Sequence, residues 1–479
     1  MLIKHSMVYV PAKLVPGIIG MLTTAALTRL LTPAEYGIYG LALVVMTFGS
    51  TLAFDWLGVS FQRVYYAGRH DPRLTSTFVQ IFLILMCLTG TLALLAWGLG
   101  LFTGSTAPSY AIGLVMTWAY AWFELAARFE VANFRPGRYL RMNLARALFI
   151  LLGAVGAAWL TRSPIWTAAG TATGILAGAL LGGFSGWGFG RRHFDVKLAR
   201  TVLTFGMPMA ASMALSSLIG SGTRAMVEWM GSAEALGYYT AAFMLVQNTL
   251  NVAAAGIAAA SYALAVKAVE SGDEAAARRQ LLANGSLLLA VMAPAALGMA
   301  LTAHGIAVTL VGPRYVQAVT TLTPWMAGGA FFANLRANYL DHAFQLSRRP
   351  TLQIQVTALA AVLALGLSYW LIPLMGPLGT AIAVAVAMAV SCVHAALIGR
   401  WAYPVPMPLD AAWRVGLACL AMTICVLIIP GRGTASFLLQ ASAGALAYCG
   451  VGAALNLLGA RDSIRALLRR AGVAPVVVE

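Results

Sequence analysis

Apolar runs of about 20 residues recur along the whole chain, parted by short clusters of charge, proline and glycine. A run of that length is what an α-helix needs to cross the hydrocarbon core of a bilayer. The runs fall near 6–29, 38–60, 76–98, 110–130, 144–161, 166–188, 205–229, 238–262, 282–303, 319–340, 352–373, 377–399, 411–430 and 435–458. The pattern predicts an all-α polytopic membrane protein of about fourteen transmembrane helices, since each helix satisfies its own backbone inside lipid. Beyond the last run, Ile464, Leu467, Leu468 and Ala471 recur at helical spacing, with Arg461, Arg465 and Arg469 on another face. That tail is expected to lie on the cytoplasmic surface among anionic lipids, the alternative being a solvated helix.

Composition agrees with lipid as the solvent. Hydrophobic residues make up 60% of the 479 and charged ones 10%, too few charges to cover a soluble fold of this size. The net charge of +16 is topological and does not point to nucleic acid, because the cations sit in short loops between apolar runs. With the N-terminus cytoplasmic, all but Arg29, Arg162, Arg224, Arg314 and Arg432 of the 31 Lys and Arg fall on one side. This is the positive-inside asymmetry of an inner-membrane protein, and it puts both termini in the cytoplasm. The cysteines, Cys87, Cys392, Cys419, Cys425 and Cys449, lie inside apolar runs with no CxxC or Cys/His cluster. No metal, cofactor or disulfide framework is expected.

The chain repeats itself. Gly37-Ile38-Tyr39-Gly40-Leu41-Ala42 recurs 200 residues later as Gly237-Tyr238-Tyr239-Thr240-Ala241-Ala242, and Ala34-Glu35 recurs one residue out of step as Ala233-Glu234. Both copies sit between the first and second helix of a six-helix block, so the blocks enter the membrane from the same side as parallel repeats. The expected organisation is a six-helix lobe over 1–195, a second over 196–400, two further helices over 401–458 and the tail over 459–479, with a central cavity between the lobes.

Four stretches resemble one family. Thr28-Arg29-Leu30-Leu31-Thr32-Pro33-Ala34-Glu35-Tyr36-Gly37 resembles the signature after the first helix of Wzx-type polysaccharide flippases. These form the polysaccharide-transport branch of the multidrug/oligosaccharidyl-lipid/polysaccharide exporter superfamily. Arg135-Pro136-Gly137-Arg138-Tyr139-Leu140-Arg141 is similar to the basic loop before the fifth helix of that family, and Val311-Gly312-Pro313-Arg314-Tyr315-Val316-Gln317-Ala318 to its Gly-x-x-Tyr-x-x-Ala loop before helix ten. Arg349-Pro350 and Ile372-Pro373-Leu374-Met375-Gly376-Pro377-Leu378-Gly379 are similar to the stretch bracketing helix eleven. The resemblance implies flipping of undecaprenyl-pyrophosphate-linked oligosaccharide from the cytoplasmic to the periplasmic leaflet, with polysaccharide polymerase and other assembly proteins as partners. It implies a cationic cavity and leaves the sugar open.

A pyrophosphate head calls for Arg or Lys, and sugar hydroxyls for amides and aromatic faces. Ionisable residues within a span are candidates because they are costly there. Arg224, with Glu228 at i+4 as a possible ion-pair partner, is the first choice for the cavity; the alternative is a side chain reaching to periplasmic headgroups. Arg29 and Lys13 are further cations, and Lys13 lies at a depth similar to Asp55, which suggests a pair. Pro11, Pro16, Gly17 and Gly20 make the first helix easy to bend. Tyr120, Glu124 and Arg128 form one polar stripe, read as a Glu–Arg clasp or a substrate contact, opposite Trp118 and Trp122. Gln247, Asn248 and Asn251 share one face, as do Asn334, Asn338 and Asp341 on another helix; both sets suit sugar binding or helix–helix hydrogen bonding. Tyr315 and Trp325 are expected as interface anchors.

Two other classes compete. A multidrug cation antiporter would want a net acidic cavity. A membrane-embedded glycosyltransferase or ligase would want a carboxylate or histidine at the surface and a sizeable loop, whereas the periplasmic loops are short and contain only His304.

Overall fold

A computed structural model describes residues 11–67, 72–102, 104, 106–181, 194–270, 273–347, 349–431, 433–459 and 461. Among them the regular structure is entirely helical: α1 (Pro11–Leu30), α2 (Pro33–Ala53), α3 (Asp55–Ala67), α4 (Pro72–Gly98), α5 (Ala107–Ala132), α6 (Pro136–Thr161), α7 (Pro164–Leu180), α8 (Val196–Ser217), α9 (Thr223–Met230), α10 (Ala233–Glu270), α11 (Glu274–Leu301), α12 (Ala303–Leu310), α13 (Val316–Leu335), α14 (His342–Leu346), α15 (Pro350–Met375), α16 (Pro377–Ala402), α17 (Leu409–Ile428) and α18 (Thr434–Ala454). The described part of each predicted apolar run falls on a helical passage. Some passages are interrupted: Phe54 parts α2 from α3, a π-turn over Leu218–Gly222 joins α8 to α9, and another over Arg336–Leu340 follows α13.

Eight of these helices are long and apolar enough to cross a bilayer on their own, and the bent passage through α8 and α9 would add a ninth. Large apolar side chains such as Leu94, Leu95, Trp159, Leu160, Trp401 and Leu427 stay exposed on the helices. In water that surface would be unstable; against acyl chains it is at home. The chain is a multi-pass membrane protein. The amphipathic tail beyond Arg461 lies outside the described residues.

The helices belong to two compact units. One contains the described parts of Met1–Asn248 with Leu310–Tyr315 and Thr357–Ala387; the other contains Thr249–Thr309, Val316–Val356 and the described parts of Met388–Glu479. In the first unit, small residues let helices approach closely, as is common where lipid supplies no hydrophobic force between them. Gly153 lies against Gly170, and a Cβ on Gly174 would come within 2.7 Å of the Ile150 Cα, so α6 and α7 form a tight hairpin. Phe61 packs edge-on to Phe78 at 5.0 Å between ring centres and lies beside Tyr65 and Phe129, which ties α3 to α4 and α5. Trp118 donates to Thr89 Oγ1 at 3.0 Å, and Trp122 meets Phe82 edge-on, so the tryptophan face of α5 lies against α4.

Candidate functional site

Three of the sequence motifs meet at one end of the first unit. α2 begins with a capping box: Thr32 Oγ1 accepts from the Glu35 amide at 3.3 Å, the Thr32 amide donates to Glu35 at 2.8 Å, and Pro33 opens the helix. Local rules therefore explain the Thr-Pro-x-Glu part of the motif. The rest of it is explained by contact. A Cβ on Gly37 would collide with the Ala233 carbonyl oxygen, and one on Gly237 with that of Pro33. Tyr315 is fully buried, donates to the Leu31 carbonyl at 3.1 Å, and meets Tyr36 and Tyr238 edge-on at 5.9 and 5.8 Å. The Gly312 amide donates to Thr28 Oγ1 at 3.1 Å. Tyr315 is thus a plug inside protein, not the interface anchor expected; Trp325, on the other unit, is exposed. Arg29 lies at this end, exposed, donating to the carbonyls of Ala25 (2.8 Å) and Leu310 (3.3 Å).

Next to this cluster a cavity of about 220 Å³ opens among α1, α2, α5, α6, α7 and α10. Its polar lining comprises Thr23, Thr24, Tyr36, Tyr39, Tyr120, Arg146, Thr171 and Asn248. Asn248 reaches it because the facing residue is Gly20, whose Cβ would lie 2.9 Å from the Asn248 Nδ2. Pro16 is also in the lining, within a continuous α1.

Arg146 is the cation here; it counts among the cytoplasmic-side cations yet falls two residues inside the run 144–161. It lies ten residues into α6, about three turns along a helix that starts at Pro136. Gly178 on α7 makes room for it, since a Cβ there would meet the Arg146 Cβ at 2.7 Å. Its guanidinium pairs with Glu124 at 3.7 Å and lies over the Phe123 ring at 4.3 Å. Two signals are available, its place inside the run 144–161 and the helix-start proline ten residues before it, but Arg146 counts with the cytoplasmic-side cations and is so passed over.

The Glu124–Arg128 clasp does not form. Glu124 turns to Arg146, while Arg128 packs on Gly58 and donates to Gln62 Oε1 at 3.4 Å. The stripe points into protein, with Tyr120 in the cavity lining and Glu124 on Arg146. Arg224 is buried, but it pairs with hydroxyls and not with Glu228: it donates to Gly220 O at 3.0 Å and to Thr47 Oγ1 and Ser221 Oγ at 3.3 Å, with its guanidinium 4.5 Å from the Phe243 ring centre. Nη1 is buried without a hydrogen-bond partner. Met46 and Met244 line the cavity, whereas their neighbours Thr47 and Phe243 hold Arg224, so this arginine sits one residue behind the wall. Asp55 opens α3 and accepts from Ser50 Oγ (2.8 Å) and Thr51 Oγ1 (3.0 Å). The side chain of Lys13 lies outside the described residues. Gln247 is half-buried on α10 beside Asn248.

In the second unit the amides form a ladder. Asn334 Nδ2 donates to Asn251 Oδ1 at 2.9 Å, and Asn338 Nδ2 donates to Asn334 Oδ1 at 3.2 Å. Asp341 does not join it: buried beyond the π-turn, it lies 3.9 Å from Arg336 and accepts from Gln353 at 3.2 Å. Arg336, inside the run 319–340 and counted with the cytoplasmic-side cations, is itself buried and donates to Ser391 Oγ at 2.7 Å.

Comparison with known proteins agrees with this architecture. The sequence model of the family described as polysaccharide biosynthesis protein matches residues 26–320. No curated protein matches the sequence. Among solved structures, lipid II flippase MurJ in an inward closed conformation has a TM-score of 0.77 at 12% identity, over 95% of this chain and 98% of that one. An inward-facing multidrug resistance MATE family transporter of the MOP superfamily has a TM-score of 0.55 at 14% identity, over 83% and 94% of the two chains. The eukaryotic MATE transporter AtDTX14 gives 0.52 at 15%, over 85% and 96%. Identities this low speak to the fold, which is that of the multidrug/oligosaccharidyl-lipid/polysaccharide exporters. By the family match over most of its length, the chain belongs to the polysaccharide biosynthesis protein family.

Proposed function

We propose that the protein flips a lipid-linked oligosaccharide, an O-antigen or exopolysaccharide repeat unit on undecaprenyl pyrophosphate, from the cytoplasmic to the periplasmic leaflet of the inner membrane by alternating access. The observation that carries this reading is Arg146 in the wall of the first unit's cavity. Removing a phosphate from water must be offset by opposite charge or hydrogen bonds, and a guanidinium can grip two phosphate oxygens at once. Hydroxyls of Tyr36, Tyr39, Tyr120 and Thr23 with the Asn248 amide suit the adjoining sugar. The volume equals that of about seven waters, so it takes the charged head and not the whole glycan. The lipid tail needs no cavity. Arg224 and the amide ladder are kept as secondary contacts for other states of the cycle, and a polysaccharide polymerase as a partner that takes the product.

A cation antiporter, the competing reading, would want a carboxylate in the wall; among the described lining residues the charged one is Arg146, with Glu124 tied to it. The test is complementation of a flippase-deficient strain, with protein level followed by blot. Arg146→Gln should abolish glycan export at normal protein level, and Arg146→Lys should keep part of it, retaining the charge and losing the two-point grip. Full export by a well-expressed Arg146→Gln variant would remove this site.

A further inference from the structure

Glu124 and Arg146 pair at the cavity wall at a distance too long for a hydrogen bond. Arg146 is fixed at its stem, because α7 brings Gly178 against its Cβ, whereas its guanidinium end meets Glu124 at 3.7 Å and the Phe123 ring at 4.3 Å. A charge-assisted hydrogen bond between such groups measures about 2.7–2.9 Å, so carboxylate and guanidinium attract here without gripping. Both stay partly open, with 21% of the Arg146 side chain and 30% of the Glu124 side chain exposed. Burial in this unit does not by itself demand a carboxylate. Arg224, more fully buried, is held by the Gly220 carbonyl, the Thr47 and Ser221 hydroxyls and the Phe243 ring. Glu124 also has a like charge near it: Asp55, kept in place by Ser50 and Thr51, interacts with both Glu124 and Arg128.

A phosphate and Glu124 compete for the same guanidinium. Two phosphate oxygens can take two short hydrogen bonds from it, and Glu124 in its present position takes none, so an incoming pyrophosphate displaces the carboxylate. Once the phosphate leaves, an uncompensated guanidinium inside a membrane protein is costly. The carboxylate, repelled by Asp55, gains by returning to it. We infer that Glu124 is an internal stand-in for the substrate's phosphate. It yields Arg146 to the pyrophosphate head and then reclaims it, which drives the head out and neutralises the wall while the carrier resets. This rests on the flippase reading and adds to it a positioning residue that acts through Arg146. Weaker holding of the head is the condition for releasing it on the far side of the membrane, because a site that binds only tightly does not turn over.

The probe is farnesyl pyrophosphate, titrated against the purified full chain by thermophoresis, beside complementation of the flippase-deficient strain with protein level followed by blot. Glu124→Gln keeps the shape of the side chain and removes its charge. It should bind the probe about fivefold more tightly, the effect of an ion pair at a partly open wall, and should export less glycan at normal protein level. A purely structural ion pair would give weaker binding or less protein instead. Glu124→Asp, the milder change should the glutamine variant fail to fold, sets the charge one methylene back and should fall between wild type and Glu124→Gln in affinity and in export. Adding Arg146→Gln to Glu124→Gln should abolish the gain. Unchanged or weaker binding by Glu124→Gln (or by Glu124→Asp in its place) would overturn the stand-in role and leave Arg146 as the phosphate site. So would tighter binding with wild-type export, or a gain that survives Arg146→Gln. Equal binding by wild type and Arg146→Gln would instead remove the phosphate site itself, and the stand-in with it.

Discussion

Gly37 and Gly237 form a reciprocal contact: each occupies the space where the other's helix presents the carbonyl of its first residue, Ala233 for Gly37 and Pro33 for Gly237. Residues 33 and 233 are 200 apart, as are 37 and 237, and the missing Cβ of Gly40 likewise faces Thr240 at 2.8 Å. A contact that maps onto itself under the repeat offset is what a local two-fold relation between α2 and the start of α10 produces. The repeated Gly-x-Tyr is thus a packing device, since only glycine lets two helix starts approach at backbone distance.

Gly37→Val and Gly237→Val should therefore be alike in effect. Either is expected to lower the melting temperature of the purified protein by several degrees or to abolish its monodisperse peak, because the collision is with backbone and cannot be relieved by rotamer change. Gly366→Ala, where a Cβ would meet nothing within 4 Å, is the tolerated comparison. Wild-type melting in either valine variant would mean the helices can part at no cost.

The two buried-side arginines of the first unit should separate by readout. Arg224 links α9 to α2 through Thr47 and Ser221, so Arg224→Met should lower stability and protein level. Arg146 lines the cavity, so Arg146→Gln should lower export at unchanged protein level. Loss of export with normal stability in Arg224→Met would make Arg224 a primary substrate contact and not a secondary one.

Asp341→Asn should be strongly destabilising, by about 3–5 kcal/mol, because it leaves the buried Arg336 uncompensated. Adding Arg336→Gln should recover a large part of that. A double-mutant cycle on detergent-solubilised protein measures the coupling, and additive effects would show that the 3.9 Å pair is not an energetic unit.

Asn334→Leu removes the middle of the amide ladder and both of its rungs. The rung between helices, Asn334 to Asn251, contributes about 0.6 kcal/mol, and the other joins residues four apart on one helical passage, so stability should fall only slightly. If the ladder also meets sugar, export should fall further than stability does. Unchanged export would leave it as helix-to-helix bonding alone.

Topology is open to cysteine labelling. In a cysteine-free background, with Cys87 and Cys449 replaced first because they are exposed, single cysteines at Gly104 and Gly433 should label from the periplasm. Those at Arg138 and Asp273 should label from the cytoplasm. Two reversed sites would overturn the orientation read from the loop cations.

The sequence by itself determined the solvent and the secondary structure. Repetition of apolar runs at bilayer length is a property of consecutive residues, and so are the capping box at Thr32 and the helix-opening prolines at Pro33, Pro136 and Pro350. Only the tertiary structure decided which polar groups meet. Glu124 had two basic partners within reach of its helix geometry, Arg128 one turn away on α5 and Arg146 on α6, and the approach of α6 and α7 through Gly178 gave it Arg146. Tyr315 could as well have anchored at a lipid interface, but the Gly312 turn drives it between Tyr36 and Tyr238. Periodicity says which face of a helix is polar; it contains no information on which neighbouring helix that face meets. That choice depends on contacts between residues far apart in sequence, and here it rests mainly on where glycines let helices close in.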